Sequence, residues 1–397
     1  MKKILYLHQY FNTYEMNGST RSLEISKAFI RQGYEVDMIT ATRTNQKEFP
    51  SNYLGINIRW IKAPYGNELG FYMRIYMFLK YVVVASYYCL TRSYDIIYCT
   101  STPLTIGFPA LLSKLFRGKK FVFEARDIWP EIPVAMHVIK NKSLIWFLRK
   151  FAFLCYDESE LIITLSVDMK SEILTNYNVE PNKIIIAENG SESALFEQNE
   201  YFKKEFIKKH NLPNKSKILL YPGSFGHVNE VSYLVHLANL FREEISFVLI
   251  GSGIEKEEIR SIATTNLTLN RNLFLLEPVP KREIFDIISI SDFLISTVAD
   301  IPALNQNSAN KFFDGLRAGK CVLINHGGWQ QDFLESTKSG VRLSRNLDEA
   351  SKQLMDLIDN PKKLEEFKIN SVKNSVKFEI LEITDKIINN INKINLI

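Results

Sequence analysis

Cysteine is sparse in this 397-residue chain: Cys89, Cys99, Cys155 and Cys321 are the whole complement, with no Cys-x-x-Cys pair. None has a histidine at ligand spacing, which excludes a zinc framework and predicts buried free thiols in a reducing compartment. Long apolar runs are missing as well. The longest, Ile75 to Leu90, is broken by Lys80 and dotted with tyrosine, and it falls short of a membrane span. The opening MKKILYLHQYF carries a basic pair, but its apolar run is too short for a secretory leader and reads as a first strand. A cytoplasmic chain is expected. The dinucleotide fingerprint Gly-x-Gly-x-x-Gly does not follow that strand, which counts against a dehydrogenase. Charge of one sign is only mildly in excess. The net +5 is carried by residues 1–195, with 23 Lys and Arg against 18 Asp and Glu, while the remainder balances at 26 of each. That excess is too small for a nucleic-acid binder and suits an anionic lipid or phosphate partner.

What is present is ordinary globular composition, 46% hydrophobic and 23% charged, in a chain long enough for two or three domains. The first half alternates short apolar runs with helical periods: KILYLHQYF, SLEISKAFIRQG, YEVDMITAT, a long helical region from Phe71, YDIIYCTS, PALLSKLFRG, KFVFEA and LIITLS. Such alternation predicts an α/β fold with a parallel, doubly wound sheet. The same grammar restarts with KILLYPGS, SFVLIGSG, DFLIST and KCVLINHGG, which predicts a second Rossmann-like domain. The boundary is expected near Asn199 to Lys217, where charge density rises and strand signals vanish. The expected division is 1–198 and 199–377, with a C-terminal helix at about 378–397 packing back on the first domain.

Ligands of such sheets bind at the carboxyl ends of the strands. In KFVFEARDIWPEIP, a buried strand runs into Glu124, Arg126, Asp127 and Glu131, so charge collects where a crevice is expected. The alternative is a structural Arg126–Asp127 pair closing the strand. After the first strand, Gly18 precedes a helix with Ser19 and Thr20 as candidate caps, and free N–H groups there attract anions. In the second half, Gly223 and Gly226, then Gly251 and Gly253, then Asn310, Lys311 and Asp314 follow neighbouring strands. Together they predict a phosphate-accepting rim with Lys311 as its cation. Among the histidines, His236 and His210 read as structural and solvated. His8, His227 and His326 stand where they can reach substrate, and no pair has metal-ligand spacing.

Taken in order, Gly18 with Arg21, FEARDIWPE, SVDMKSEIL, KIIIAENGSESALF, FVLIGSGIEKEEI, VPKREIFDIISISDFLIS and NKFFDGLRAGKCVL resemble glycosyltransferase family 4, and most closely the WbuB-type enzymes of bacterial O-antigen and capsule assembly. The resemblance covers nearly the whole chain. It implies the GT-B fold, two Rossmann-like domains facing a central cleft, and retaining transfer of a sugar from a nucleotide sugar, UDP foremost, without metal or other cofactor. It implies as acceptor an undecaprenyl-diphosphate-linked saccharide. Carried over by residue, Gly18 and Ser19 meet the donor diphosphate, Val279 holds the base by its backbone, Asp314 bonds the ribose and Lys311 steadies the diphosphate. Arg126 and Asp127 face the acceptor and the reacting carbon, with His8, Arg21 and Glu131 on the acceptor side. Two departures stand out. The Glu-x7-Glu motif reads Gln306-x7-Asp314, and the basic pair after the first strand of the second domain is replaced by GSFGHVNE.

Two rival readings remain, a nucleotide-sugar epimerase of the same architecture and a non-catalytic scaffold of a sugar-assembly complex. An epimerase needs acid and base groups on both faces of the sugar, and no such constellation is visible. Finally, NKSLIWFLRKFAFLCYD, read at about 100° per residue, puts Lys142, Trp146, Arg149, Lys150 and Phe153 on one face and Leu144, Leu148, Phe151 and Cys155 on the other. That predicts a helix lying on the inner face of the cell membrane, with the first face toward anionic lipid.

Overall fold

A computed structural model describes residues 2–43, 49–65, 71–191, 199–214 and 216–393. Residues 192–198, the first five of which end the KIIIAENGSESALF stretch, lie outside them, as do Lys215 of the expected boundary and residues 394–397 of the expected C-terminal helix. The chain forms two units. The first is Met1–Thr13, Ser19–Glu188 and Leu381–Ile397, and the second is Tyr14–Gly18 and Asn189–Ile380. The exchange falls at Glu188/Asn189, ahead of the expected 198/199, because Asn189 and Ser191 already hydrogen-bond to Ser308 and Asp314 of the second unit.

In the first unit, strands β1 (Lys3–Leu7), β2 (Glu35–Arg43), β3 (Asn52–Tyr53), β4 (Ile56–Tyr65), β5 (Ile96–Thr100), β6 (Phe121–Ala125), β7 (Leu161–Thr164) and β8 (Ile184–Ile186) form one sheet. Their order is β3-β4-β2-β1-β5-β6-β7-β8. Every pairing is parallel except β3 with β4. Helices α1 (Arg21–Arg31), α2 (Phe71–Thr91), α3 (Gly107–Arg117), α4 (Glu131–Ala135), α5 (Lys142–Glu158) and α6 (Val167–Asn176) connect them. Strands such as FVFEA in β6 are buried throughout and do not alternate, as expected of a sheet covered on both faces. The helix α3 approaches α5 closely because position 107 is glycine: a Cβ there would lie 2.3 Å from Cys155 Sγ and 3.3 Å from the Phe123 ring. Gly107→Ala is expected to cost about 1–3 kcal/mol by overpacking, visible as a lower urea midpoint.

The second unit holds β9 (Lys217–Pro222), β10 (Ile245–Ile250), β11 (Leu273–Leu276), β12 (Phe293–Ser296), β13 (Cys321–Ile324) and β14 (Gly340–Arg342). They form a fully parallel sheet in the order β11-β10-β9-β12-β13-β14. Around it lie α7 (Glu200–His210), α8 (Ser232–Ala238), α9 (Lys256–Thr265), α10 (Lys281–Ile290), α11 (Asn310–Arg317), α12 (Trp329–Thr337), α13 (Leu347–Asp359) and α14 (Pro361–Ser375). The last helix, α15 (Ile380–Lys393), hydrogen-bonds to the first unit: Tyr34 donates to Asn392 over 2.7 Å and Arg31 to Thr384 over 3.5 Å. All four cysteines are buried free thiols, whose ionisation burial pushes up. Among the described residues, no helix is long and apolar enough to cross a membrane.

In each sheet the strand order reverses at one point, between β1 and β5 and between β9 and β12. Those are the places where doubly wound sheets take ligands, outside the carboxyl ends of the strands.

Candidate active site

In the first unit, three strand ends converge. His8 and Gln9 follow β1, Ser101 and Thr102 follow β5, and Arg126 and Asp127 follow β6. The charge at the end of β6 divides in two. Glu124, the last charged residue inside the strand, is fully buried and pairs with Arg21 Nε at 2.7 Å. Thr100 Oγ1 donates to its other oxygen over 2.7 Å. Arg21 also donates to the Glu188 carbonyl (2.5 Å) and the Ala187 carbonyl (2.8 Å). With its side chain 1% exposed, Arg21 ties α1 to β6 and to the segment after β8. The expectation that it contacts acceptor is corrected accordingly: its donors are spent inside the protein.

Beyond the strand, Arg126 and Asp127 are half-buried. The Arg126 backbone N–H donates to Ser101 Oγ (3.0 Å) and its guanidinium donates to Ser19 Oγ (3.1 Å). Thr102 Oγ1 donates to Asp127 Oδ2 over 2.7 Å. Among the described residues no ion pair joins Arg126 to Asp127, so the structural pair closing the strand is Arg21–Glu124. His8 is buried, with Nδ1 2.8 Å from Ser22 Oγ. Burial, with Arg126 and Arg43 nearby, holds its imidazole well below the ordinary histidine range, and therefore neutral.

Glu131 is also corrected. Both its oxygens accept from Arg149, over 3.0 and 2.7 Å, and Tyr177 donates to one over 3.3 Å. The residue fastens α4 to α5 and is not held open for an acceptor. Gly18 has φ +124°, a conformation that favours glycine. Thr20 occupies the N-cap of α1 without a side-chain cap bond.

In the second unit, the β9 end and α11 bring Gly223, Tyr221 and Lys311 together. Lys311 is 9% exposed, with Nζ 4.0 Å from the centre of the Tyr221 ring. Among the described residues no hydrogen bond or ion pair reaches that ammonium, and burial lowers its pKa to about 7. Gly223 makes room for it, since a Cβ would sit 3.1 Å from Nζ. Gly226 has nothing within 4 Å of a Cβ position, so its loop faces open space. Gly251 and Gly253 behave differently: Cβ atoms there would meet the Gly223 carbonyl at 1.8 Å and the Phe225 carbonyl at 2.1 Å. These two glycines let the loops after β9 and β10 touch, and they line no opening of their own.

Asp314 departs from its expected place. It is buried, Ser191 Oγ donates to Oδ1 (2.9 Å) and Lys281 Nζ pairs with Oδ2 (2.5 Å). The carboxylate is thus committed inside the unit and does not stand open to a ribose. Asn310 begins α11, half-buried, and Val279 is half-buried before α10, against the cluster of Ile250, Phe274 and Phe285. His227 pairs with Glu255 in the exposed loop. His326 is 1% exposed, with Nδ1 2.8 Å from the Gly327 carbonyl, and burial lowers its pKa to about 4. Its Nε2 has no hydrogen-bond partner among the described residues. Tyr221, Lys281 and Thr102 escaped the sequence reading, because a ring beneath an ammonium and a bond across 33 residues leave no local pattern. Among the described residues no cluster of three His, Cys, Asp or Glu side chains has the geometry of a metal site.

Comparison with known proteins agrees with this architecture. The family described as Glycosyltransferase Family 4 matches residues 18–193, and that described as Glycosyl transferases group 1 matches residues 202–374. The chain belongs to the glycosyltransferases of this family 4/group 1 type and has the GT-B fold of two Rossmann-like domains. Among solved structures, sucrose-phosphate synthase from Thermosynechococcus elongatus superposes with a TM-score of 0.81 at 12% identity, over 99% of each chain. HepE from Anabaena, in complex with UDP and glucose, gives 0.74 at 13% identity over 99% of this chain and 100% of that one. WaaG, a glycosyltransferase involved in lipopolysaccharide biosynthesis, gives 0.71 at 12% identity over 96% and 98%. No curated protein sequence matches the chain.

Proposed function

We propose that this glycosyltransferase moves a sugar from a nucleotide sugar, UDP-linked foremost, onto a lipid-diphosphate-linked saccharide of bacterial surface polysaccharide, with retention of configuration and without metal. The observation that carries the donor half is Lys311, a buried ammonium over Tyr221 at the end of β9 with no ion pair among the described residues. A diphosphate supplies the missing countercharge. The UDP and glucose bound by HepE, and the lipopolysaccharide role of WaaG, support the substrate classes.

In the proposed chemistry the acceptor hydroxyl attacks the anomeric carbon from the face the diphosphate leaves, and the leaving phosphate oxygen takes the hydroxyl proton. The protein supplies position and charge stabilisation. Lys311 neutralises the departing diphosphate. Asp127, oriented by Thr102, positions the acceptor by accepting a hydrogen bond from a hydroxyl beside the attacking one, and Arg126, oriented by Ser19, offsets charge beside it.

The test is incubation with UDP-sugars and an undecaprenyl-diphosphate-linked saccharide, with and without EDTA, followed by anomer analysis. Transfer with retention, indifferent to EDTA, is the expected outcome. Isomerised donor alone would support an epimerase, and unaltered donor a scaffold. Asp127→Asn is expected to keep donor affinity and lose about 10²-fold or more in turnover. A lowered melting temperature with near-normal turnover at low temperature would reduce Asp127 to a structural partner of Thr102.

A further inference from the structure

Helices α2, α3 and α5 follow β4, β5 and β6, and each leads to a strand on the same side along the sheet order. Right-handed crossovers therefore put all three in one layer, where α3 packs against both neighbours. An ordinary surface helix has a polar outer stripe. The helix α2 does not. Its inner stripe of Tyr81, Ala85 and Cys89 is buried, and about 180° away Tyr72, Tyr76, Leu79, Val83 and Tyr87 are exposed, Tyr72 by 85%. On α3, Phe108, Leu115 and Phe116 are exposed, and on α5 so are Leu144, Trp146, Phe147 and Leu154.

The charge on these helices is mainly basic, the carboxylates gathering at the end of α5, where Glu158 and Glu160 pair with Lys114. The three helices hold seven Lys and Arg and no carboxylate before Asp157. Lys80, Lys142 and Lys150 have no ion pair among the described residues, and the last two are exposed. The α5 face expected from periodicity is revised in the process. Arg149 is held by Glu131, Phe153 packs against the core, and Leu144, Phe147 and Leu154 join Trp146 outside.

We infer that the α2–α3–α5 face is a docking surface for an anionic lipid bilayer. An apolar layer with the unpaired cations Lys80, Lys142 and Lys150 at its edge suits the headgroup boundary: the side chains enter about 5–10 Å, tyrosine and tryptophan sit at headgroup level, and the lysines meet lipid phosphates. A second copy fits less well, since a two-fold contact would set the same cations against one another. The inference rests on the proposed lipid-linked acceptor for its purpose, and on the geometry alone for its existence.

The test is co-sedimentation of the full chain with vesicles of phosphatidylcholine, alone or mixed with phosphatidylglycerol, at low and high salt. Lys80→Glu/Lys142→Glu/Lys150→Glu is expected to lose roughly 100-fold in partitioning onto the anionic vesicles at low salt. Leu79→Glu/Val83→Glu is expected to lose about tenfold or more at either salt. Ile369→Glu, an exposed apolar position on α14, is expected to bind as wild type. Variants with wild-type melting temperatures and wild-type partitioning would overturn the inference. So would a dimer abolished by Leu79→Glu/Val83→Glu in a chain that binds no vesicles. Transfer to a short-chain, water-soluble acceptor separates the two ideas: all variants are expected to match wild type there. A wild-type chain that binds vesicles but transfers nothing to any acceptor would sink the proposed function and leave the docking face standing.

Discussion

Lys311→Ala is expected to lose about 10²- to 10³-fold in transfer rate, the usual effect of deleting one donor aimed at charge that develops in the transition state. The Tyr221 ring lies beside the Lys311 ammonium, no ion pair reaches it among the described residues, and burial brings its pKa from the ordinary 10.5 to about 7. A site that desolvates a lysine without pairing it costs stability, and a bound diphosphate removes that cost. Between pH 7 and 10.5 the unfolded chain holds a proton on Lys311 that the folded protein does not, so wild-type stability gains from this group as pH rises through that window. Lys311→Met, which keeps most of the volume, is therefore expected to be at least as stable as wild type below pH 7, with a flatter stability profile above it. Donor KM is expected to rise in wild type above pH 7, where the free site loses its charge, and not in the variant. Steady-state kinetics against pH and thermal melts check both; more than a tenth of wild-type turnover in purified Lys311→Ala would show that Lys311 does not hold the diphosphate.

Arg21→Ala, by contrast, is expected to act on the fold. Removing one partner of a fully buried ion pair leaves Glu124 charged and uncompensated, which typically costs about 3–5 kcal/mol. For a unit of this size that is roughly 6–20 °C in melting temperature. The Glu188 and Ala187 carbonyls lose their donors as well, so Arg21→Met/Glu124→Leu is expected to recover only part of the loss. A single Arg21→Ala that melts like wild type while losing activity would return Arg21 to the acceptor site.

Most strands were legible in the sequence because parallel strands covered on both faces are unbroken apolar runs, such as ISFVLI in β10. The ones that escaped carry weaker signals. Strand β4 reads INIRWIKAPY, with charge inside it, and β8 and β14 span three residues each, too short for any period. FEARDIWPE located the charged end of β6 correctly but not the division of labour within it. Whether Glu124 or Asp127 is the buried partner depends on Arg21, 103 residues away, and no local pattern encodes that. Lys281 and Asp314 pose the same problem across 33 residues. In α2 and α5 periodicity finds two stripes but cannot rank them when both are apolar.

The return of α15 to the first unit has a consequence for synthesis. The second unit is drawn almost entirely from the contiguous stretch Asn189–Ile380, whereas the first lacks α15 until the residues after Ile380 emerge. Ile383, Ile387, Ile388 and Ile391 of that helix are buried in the finished protein, each worth about 1.5–3 kcal/mol. Although its strands leave the ribosome first, the N-terminal half is therefore the later of the two to be completed. A nascent chain stalled before Leu381 would carry a closed second unit and a first unit with the seat of four isoleucines bare to water, the form most in need of a chaperone.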